Sequence, residues 1–307
     1  MARLGMMLGW SHYAQGWHIT CTAGAPAAAV AASMALGLSA EQTATAMALA
    51  VPAAGGVQRA FGSTAKSLQV GFAADAGVRA AQLAAHGATA DIRALDDWLK
   101  LVGADPGKLD LTGPAVPGGL ATKLFPCCYA MQRPISAIRE QLPETISPSD
   151  IVAIRVTTPE GTVQPLIHHH PQTGLEGKFS LEYSIAATLL DQDPGFESFT
   201  DHAVQRPEAQ RLVDLVDVKV TPGGDWLLAG NCTIDIVLHN GTQYVASLKF
   251  PPGSPEKPAQ LSELESKFRA CGSDVPSRLA GLKWSGAAEL LAEQLPGPRA
   301  FITSSPL

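Results

Sequence analysis

The sequence predicts an α+β protein in which an all-helical domain is followed by a smaller α+β domain. Residues 21–99 are rich in Ala, Leu, Met and Gly with few β-branched residues, a composition that favours helices packed closely through small side chains. Residues 103–119 then hold three prolines and five glycines, which is typical of a linker. Alternating β-branched runs begin at residue 151. We therefore place a domain boundary near Gly118.

Local sequence features set the bounds of the helices in the first domain. One helix is predicted over residues 25–36, ending at Gly37, whose freedom at positive φ suits a helix C-terminus. Ser39 followed by Gln42 has the spacing of a capping box, which opens the next helix. Further helices are predicted over residues 40–51, 66–86 and 91–99. The first domain is expected to occupy residues 1–118.

The second domain, residues 119–254, is predicted to combine strands with helices. Asn240-Gly241 separates two of the β-branched runs and is the dipeptide that best accepts the positive φ angles of a tight hairpin turn. Strands are predicted over residues 151–158, 216–220, 232–239 and 244–250, and helices over residues 134–141, 179–191 and 207–216.

Residues 255–307 return to a helical pattern after a proline-rich stretch. Helices are predicted over residues 262–270 and 287–294. We expect these C-terminal helices to rejoin the helical domain.

Composition and charge narrow the possible partners. The 307-residue chain is 46% hydrophobic and has a formal net charge of −6, which favours a globular protein and gives no basic surface for nucleic acid or anionic membranes. No apolar run reaches the roughly 20 residues of a membrane span. Five cysteines without disulfide spacing favour reduced thiols. The chain is therefore expected in the cytoplasm.

Neither a metal nor an organic cofactor is expected. His168, His169 and His170 are consecutive, and in an extended chain they would point to alternating faces and could not close a tetrahedral site by themselves. No glycine-rich phosphate loop of standard spacing occurs.

Four segments together resemble the MmgE/PrpD family in order and spacing. They are residues 16–20 (GWHIT), 61–71 (FGSTAKSLQVG), 123–129 (KLFPCCY) and 173–183 (TGLEGKFSLEY). The resemblance implies a helical domain paired with a smaller α+β lid. It also implies a cofactor-independent lyase acting on a small polycarboxylate, since the family includes 2-methylcitrate dehydratase, cis-aconitate decarboxylase and iminodisuccinate epimerase.

A dehydratase that acts on a hydroxy-polycarboxylate such as 2-methylcitrate is the leading interpretation. An epimerase, isomerase or decarboxylase using the same pocket is the enzymatic alternative. Family members carry a substantial helical region ahead of the GWHIT segment, so the chain also resembles an N-terminally truncated homologue, which could be a non-catalytic subunit. Helices lost from this domain would expose an apolar face, and we expect a homodimer to cover it.

The resemblance assigns catalytic roles to His18 and Lys66 and a substrate-binding role to Lys123. His18 is the expected proton shuttle, because an ordinary imidazole titrates near neutral pH. Its alternative is a histidine that caps a helix or lies satisfied in the core. Lys66 opens a helix, where a carboxylate would also meet free backbone N–H groups. Lys123 follows the predicted domain junction, where a cleft would lie.

Three further site residues are predicted, Tyr183 in a catalytic role and Cys128 and Lys178 as substrate-binding residues. Tyr183 matches a pocket tyrosine of the family, although a tyrosine is more often a core aromatic with one wet end. Lys178 could contact an anion or lie on the surface. Cys128 stands where decarboxylase-like members carry a histidine, and Gln132 stands where many relatives have another. Because a thiol replaces imidazole poorly as a general acid, these changes count against cis-aconitate decarboxylation.

Overall fold

The structure, a computed structural model, describes residues 1–272 and is an α+β protein. Residues Met1–Gln260 form one compact unit, and a second unit begins at Leu261. The α-helices are α1 (Ala2–Ala14), α2 (Ile19–Thr22), α3 (Gly24–Ala35), α4 (Ala40–Ala50), α5 (Ala65–Ala85), α6 (Arg93–Leu101), α7 (Tyr129–Gln141), α8 (Glu160–Val163), α9 (Gly174–Gly177), α10 (Leu181–Asp191), α11 (Asp201–Val204), α12 (Pro207–Asp214) and α13 (Leu261–Cys271). The strands are β1 (Ile151–Pro159), β2 (Val216–Thr221), β3 (Cys232–Leu238) and β4 (Gln243–Leu248).

The helical region, residues 1–102, packs through small side chains as its composition predicts. Helices α3, α4 and α5 contact one another around a core made almost entirely of alanine. At the closest approach, a Cβ added to Gly77 would lie 2.5 Å from the Cβ of Ala28 and 2.6 Å from the carbonyl oxygen of Ala25. Glycine at this position therefore sets the distance between α3 and α5.

The predicted helix boundaries of this region are confirmed to within two residues. Ser39 and Gln42 form both hydrogen bonds of the capping box that opens α4. Gly37, just after α3, has a φ of 68°. Helix α1 is kinked at Gly9, where φ is 65°.

The sheet region, residues 125–250, has a four-stranded sheet in the order β2-β1-β3-β4. Strands β1 and β2 pair in parallel, whereas β1 with β3 and β3 with β4 pair antiparallel. Buried and partly buried residues alternate along β3, as expected for a strand with one face on a core. Helix α7 covers β3 and β4, and α10 packs against α7 and α12.

The hairpin predicted at Asn240-Gly241 joins β3 to β4, but only Gly241 adopts a positive φ, of 83°. Asn240 instead accepts a hydrogen bond through Oδ1 from the backbone N–H of Thr242, at 2.9 Å. The asparagine therefore stabilises the turn with its side chain, a local interaction that does not require the left-handed conformation.

The buried apolar residues form clusters that lie on either side of residues 103–119. One cluster contains only residues 125–246, and two smaller ones contain only residues 7–102. The boundary near Gly118 and the three-segment division stay predictions. Helix α13 agrees with the helix predicted over 262–270, whereas the one predicted over 287–294 lies outside the described residues. No helix within residues 1–272 is long and apolar enough to cross a membrane.

Candidate active site

The candidate site lies where the helical region meets the sheet region around two aromatic rings. Phe61 of the helical region stacks on Phe179 of the sheet region, with ring centroids 5.0 Å apart. The backbone carbonyl of Phe61 also lies 2.8 Å from Nε2 of His168. A Cβ at Gly62, where φ is 82°, would clash with the His168 ring. Glycine at 62 therefore allows His168 to reach the backbone of the helical region.

His18 is held at the start of α2 on the edge of Phe61. It is 6% exposed, and its ring meets that of Phe61 edge-on at a centroid distance of 5.0 Å. Its Nδ1 lies 2.7 Å from Nε2 of Gln69 and 3.2 Å from Sγ of Cys21. One ring nitrogen is therefore fixed by the protein itself.

The other ring nitrogen of His18, Nε2, has no hydrogen-bond partner within residues 1–272. It is also absent from the fully buried side-chain polar atoms that lack a partner in this range, which are Ser33 Oγ and Arg133 Nε. Nε2 therefore remains available for a hydrogen bond to another group.

The expected protonation of His18 needs correction. Burial and the positive charge of Lys66 lower the pKa of His18 from 6.5 to about 4. The imidazole is therefore neutral at pH 7. The expectation of an imidazole that titrates near neutral pH is wrong, because it used the ordinary pKa of imidazole without the effects of burial and of Lys66.

Lys66 lies in the first turn of α5 and is half-buried beside the two stacked aromatic rings. Its Nζ is 5.9 Å from the centroid of Phe61 and 5.7 Å from that of Phe179, within cation–π range of both. Burial and the charge of Lys123 lower the pKa of Lys66. Lys66 and Lys123, distant in sequence, are thus electrostatically coupled.

The backbone N–H groups of the first turn of α5, which were expected to be free for a carboxylate, are already hydrogen-bonded. The backbone N–H of Lys66 donates to the carbonyl of Ser63 at 3.2 Å, and that of Ser67 to the carbonyl of Thr64 at 3.1 Å. Because the first turn winds tightly, these amides are already used. The positive character here comes from the lysine side chain.

Cys128 and Lys178 adjoin the lysine pair at the start of α7. The backbone N–H of Cys128 donates to the carbonyl of Lys178 at 3.0 Å. Burial raises the pKa of the Cys128 thiol, and the nearby charges of Lys123 and Lys66 only partly oppose this effect. The thiol is therefore neutral at pH 7. Lys178 is half-buried and acts on the neighbouring Cys127 through its charge.

Tyr183 is not brought to this cluster, so we leave it out of the proposed site. The side chain is fully buried in the core of the sheet region, and its hydroxyl donates to the backbone carbonyl of Ser198. Burial raises the pKa of the phenol to about 12. The ring packs edge-on against Phe199. Its role is the commoner one of a core aromatic with a satisfied hydroxyl.

The consecutive histidines bond to three different groups. His168 contacts the carbonyl of Phe61, His169 lies 2.8 Å from Glu182, and His170 lies 3.4 Å from Asp214. Within residues 1–272 no group of three histidine, cysteine or carboxylate side chains is arranged to hold a metal ion.

Sequence reasoning missed Gln69, Phe61 and Phe179 as site residues. All three lie inside the motifs that carried the family resemblance, so the motifs located them without revealing their roles. Tyr13 was also missed; burial and the proximity of Cys128 raise the pKa of its phenol. It lies in α1, for which the sequence offered no motif.

Two family models match the chain over most of its length. The MmgE/PrpD N-terminal domain matches residues 1–98, and the MmgE/PrpD C-terminal domain matches residues 125–282. The chain belongs to the MmgE/PrpD family. Residues 99–124, which include the proline- and glycine-rich linker, lie outside both matches.

Curated relatives within the MmgE/PrpD family include cis-aconitate decarboxylases. That of Aspergillus terreus is 26% identical over 291 residues, which cover 85% of this chain and 59% of the relative. The human protein is 27% identical over 277 residues, and the mouse protein is 29% identical over 290 residues. Each match covers 85% of this chain and 57% of the relative. The chain thus spans less than two thirds of the length of these MmgE/PrpD proteins.

Proposed function

We propose that this chain forms the polycarboxylate-binding site of a cofactor-independent lyase. The observation that carries the proposal is the electrostatic coupling of Lys66 and Lys123 beside the open nitrogen of His18. Family membership and relatives named as decarboxylases of a tricarboxylic acid support the same class of substrate.

The charged form of Lys66 is disfavoured in the free protein. Burial lowers the pKa of Lys66, and the like charge of Lys123 lowers it further. Among residues 1–272, the groups that shift this pKa are Lys123 and the thiols Cys128 and Cys21, with no carboxylate among them. A ligand with two or three carboxylates would remove the repulsion, so these lysines favour polyanions over monoanions.

The same groups suit chemistry next to a carboxylate. In dehydration a proton leaves the carbon α to a carboxylate and the β-hydroxyl leaves as water, and negative charge builds up on the carboxylate oxygens during the first event. Lys66 and Lys123 would stabilise that charge, and the open nitrogen of His18 would hydrogen-bond to the substrate. Lys178 is proposed to add positive potential at the edge of the site.

Dehydration of a hydroxy-polycarboxylate such as 2-methylcitrate is the leading candidate because Cys128 is a neutral, buried thiol. The resemblance predicts a histidine at this position in decarboxylase-like members, and a neutral thiol is a poor proton donor to a carbanion. Decarboxylation of cis-aconitate is the second candidate, and the names of the relatives favour it.

A product assay distinguishes the two candidates. The purified chain is incubated separately with 2-methylcitrate, citrate and cis-aconitate, and the products are followed by proton NMR. Dehydration gives a new vinyl or allylic signal with release of water, whereas decarboxylation gives carbon dioxide and a dicarboxylate. We expect Lys66→Met and Lys123→Met each to lower the rate at least tenfold.

Lys219→Met is the matched control, because Lys219 is an exposed lysine on β2. It should leave the rate unchanged. Binding of these acids without turnover would indicate a non-catalytic member of the family. Failure of all three acids to bind would overturn the proposal.

A further inference from the structure

We propose that Gln69 is a positioning residue that holds His18 in the neutral tautomer with its proton on Nε2. His18 would then present an N–H donor to the substrate, and not a basic nitrogen. The tautomer follows from hydrogen bonds within the protein, whereas the contact of His18 with the substrate rests on the function proposed above.

The orientation of the Gln69 amide is fixed by the backbone of Val57. The Val57 N–H, which can only donate, points to Oε1 of Gln69 at 3.1 Å. The Val57 carbonyl, which can only accept, lies 3.3 Å from Nε2 of the same amide. If the amide were rotated by 180°, its N–H group would face the Val57 N–H and its oxygen would face the Val57 carbonyl. The two hydrogen bonds with Val57 therefore determine which atom of the amide is the nitrogen.

The amide nitrogen of Gln69 has two hydrogens, and the second one faces His18. The Nε2 to Nδ1 distance is 2.7 Å, shorter than the 3.3 Å to the Val57 carbonyl. Because the amide nitrogen cannot accept, Nδ1 of His18 must be the acceptor and carries no proton. The thiol of Cys21, 3.2 Å away, is compatible with the same assignment because it can donate to Nδ1.

A neutral imidazole has one proton, which is therefore on Nε2, the nitrogen without a hydrogen-bond partner within residues 1–272. Protonating Nδ1 would place two N–H donors face to face at 2.7 Å. Burial and the charge of Lys66 disfavour the imidazolium as well. The hydrogen bond from Gln69, together with burial and the charge of Lys66, therefore favours a neutral His18 with its proton on Nε2.

This arrangement changes the role available to His18. With Nδ1 blocked by Gln69 and Nε2 already protonated, the ring has no free lone pair with which to remove a substrate proton. It can donate a hydrogen bond to a carboxylate or hydroxyl oxygen as negative charge develops there. Proton abstraction in the proposed reaction then falls to another group.

The tautomer can be measured directly in the absence of substrate. The full chain is labelled with nitrogen-15 histidine, and long-range proton–nitrogen correlation spectra distinguish a protonated ring nitrogen from an unprotonated one. The His18 signals are assigned by their loss in His18→Asn. We expect Nε2 to be protonated and Nδ1 unprotonated from pH 8 down to pH 5.

Gln69→Glu reverses the hydrogen bond, because a carboxylate can only accept. Nδ1 should then become protonated, giving the opposite tautomer or the imidazolium at pH 6. Gln82→Glu is the matched control, since Gln82 is an exposed glutamine on the same helix, α5, and should leave the His18 spectrum unchanged.

A wild-type spectrum with Nδ1 protonated at pH 7 would overturn the proposal, and this result does not depend on whether any variant folds. A Gln69→Glu spectrum identical to wild type would overturn it as well. Neither measurement uses a polycarboxylate, so the tautomer is tested separately from the proposed function. A chain without lyase activity that shows the expected tautomer would refute the proposed lyase function, but it would leave the positioning role of Gln69 intact.

Discussion

Arg133 of the sheet region and His18 of the helical region are both buried polar side chains, but their hydrogen bonding differs. In the sheet region the fully buried Arg133 donates to the carbonyls of Ala229 and Gly230 and to the hydroxyls of Thr158 and Thr162. In the helical region His18 is almost as buried, yet its Nε2 has no hydrogen-bond partner within residues 1–272. Burial alone therefore does not separate a structural group from a functional one. The distinguishing property is a polar atom without a partner beside the positive charge of Lys66.

The helical region also contains an internal comparison for His18. His12 is fully buried and has both ring nitrogens within hydrogen-bonding distance of partners, the carbonyl of Val102 at 2.9 Å and Oγ1 of Thr22 at 3.0 Å. It stacks on Trp17 at a centroid distance of 5.4 Å. His12 is thus a satisfied core histidine, the alternative that the sequence left open for His18.

The largest expected effect concerns Arg133. Arg133→Met keeps an apolar chain of similar length but removes the donors to two carbonyls and two hydroxyls. We expect the free energy of unfolding to fall by about 4 kcal/mol, because Thr158 and Thr162 are buried acceptors and each one left unpaired costs about 1–3 kcal/mol. Urea unfolding measures the change.

Arg155→Met is the control for this prediction. Arg155 is exposed on β1 and pairs with Asp217 at 3.3 Å, so its loss should cost less than about 1 kcal/mol. Equal effects of the two variants would show that the hydrogen bonds of Arg133 do not stabilise the sheet region.

The second largest expected effect is a dependence of the free energy of unfolding on pH, caused by His18. Its pKa is about 4 in the folded protein and 6.5 in the unfolded chain, so between these values the unfolded chain binds a proton that the native protein does not. The free energy of unfolding should therefore fall as the pH falls from 6.5 to 4, by on the order of 3 kcal/mol from this group.

His18→Asn removes this contribution, so its unfolding free energy should fall less steeply than that of the wild type over the same range. Urea titrations at pH 7, 5.5 and 4 give the two slopes. His12, whose pKa burial also lowers, contributes a similar fall to both proteins and does not affect the comparison. Parallel curves would contradict the lowered pKa of His18.

The smallest effect tests packing in the helical region. Gly77→Ala places a methyl group against α3 and should destabilise the protein by about 1–3 kcal/mol. Gly71→Ala lies on the same helix, but its added Cβ would have no neighbour within 4 Å. Because alanine favours a helix over glycine, this control should instead stabilise the protein by about 0.5–1 kcal/mol. Thermal unfolding of both variants should show shifts of opposite sign.

Features encoded within a few residues were predicted well from the sequence. Ser39 and Gln42 specify a helix start because both capping bonds form within four residues. The alternation in β3 specifies a strand because side chains alternate between its two faces. The family motifs also predicted His18, Lys66 and Lys123 as site residues, and this assignment stays a prediction.

Interactions between distant residues could not be predicted in the same way. The bond of Gln69 to His18 spans 51 residues, and the stack of Phe61 on Phe179 spans more than a hundred. Tyr183 shows a second limit, because residues 181–188 of α10 are all buried. A helix buried all round has no polar face from which periodicity could indicate the direction of one side chain.

Lys66 and Lys123 are proposed to bind the same polycarboxylate. Isothermal titration with tricarballylate, an unreactive tricarboxylate, tests it in wild type, Lys66→Met, Lys123→Met and the double variant. We expect each single substitution to weaken binding at least tenfold, and the double substitution to cost less than the sum of both free energies, because the two lysines share one ligand. Wild-type affinity in either single variant, or strictly additive losses, would contradict a shared site.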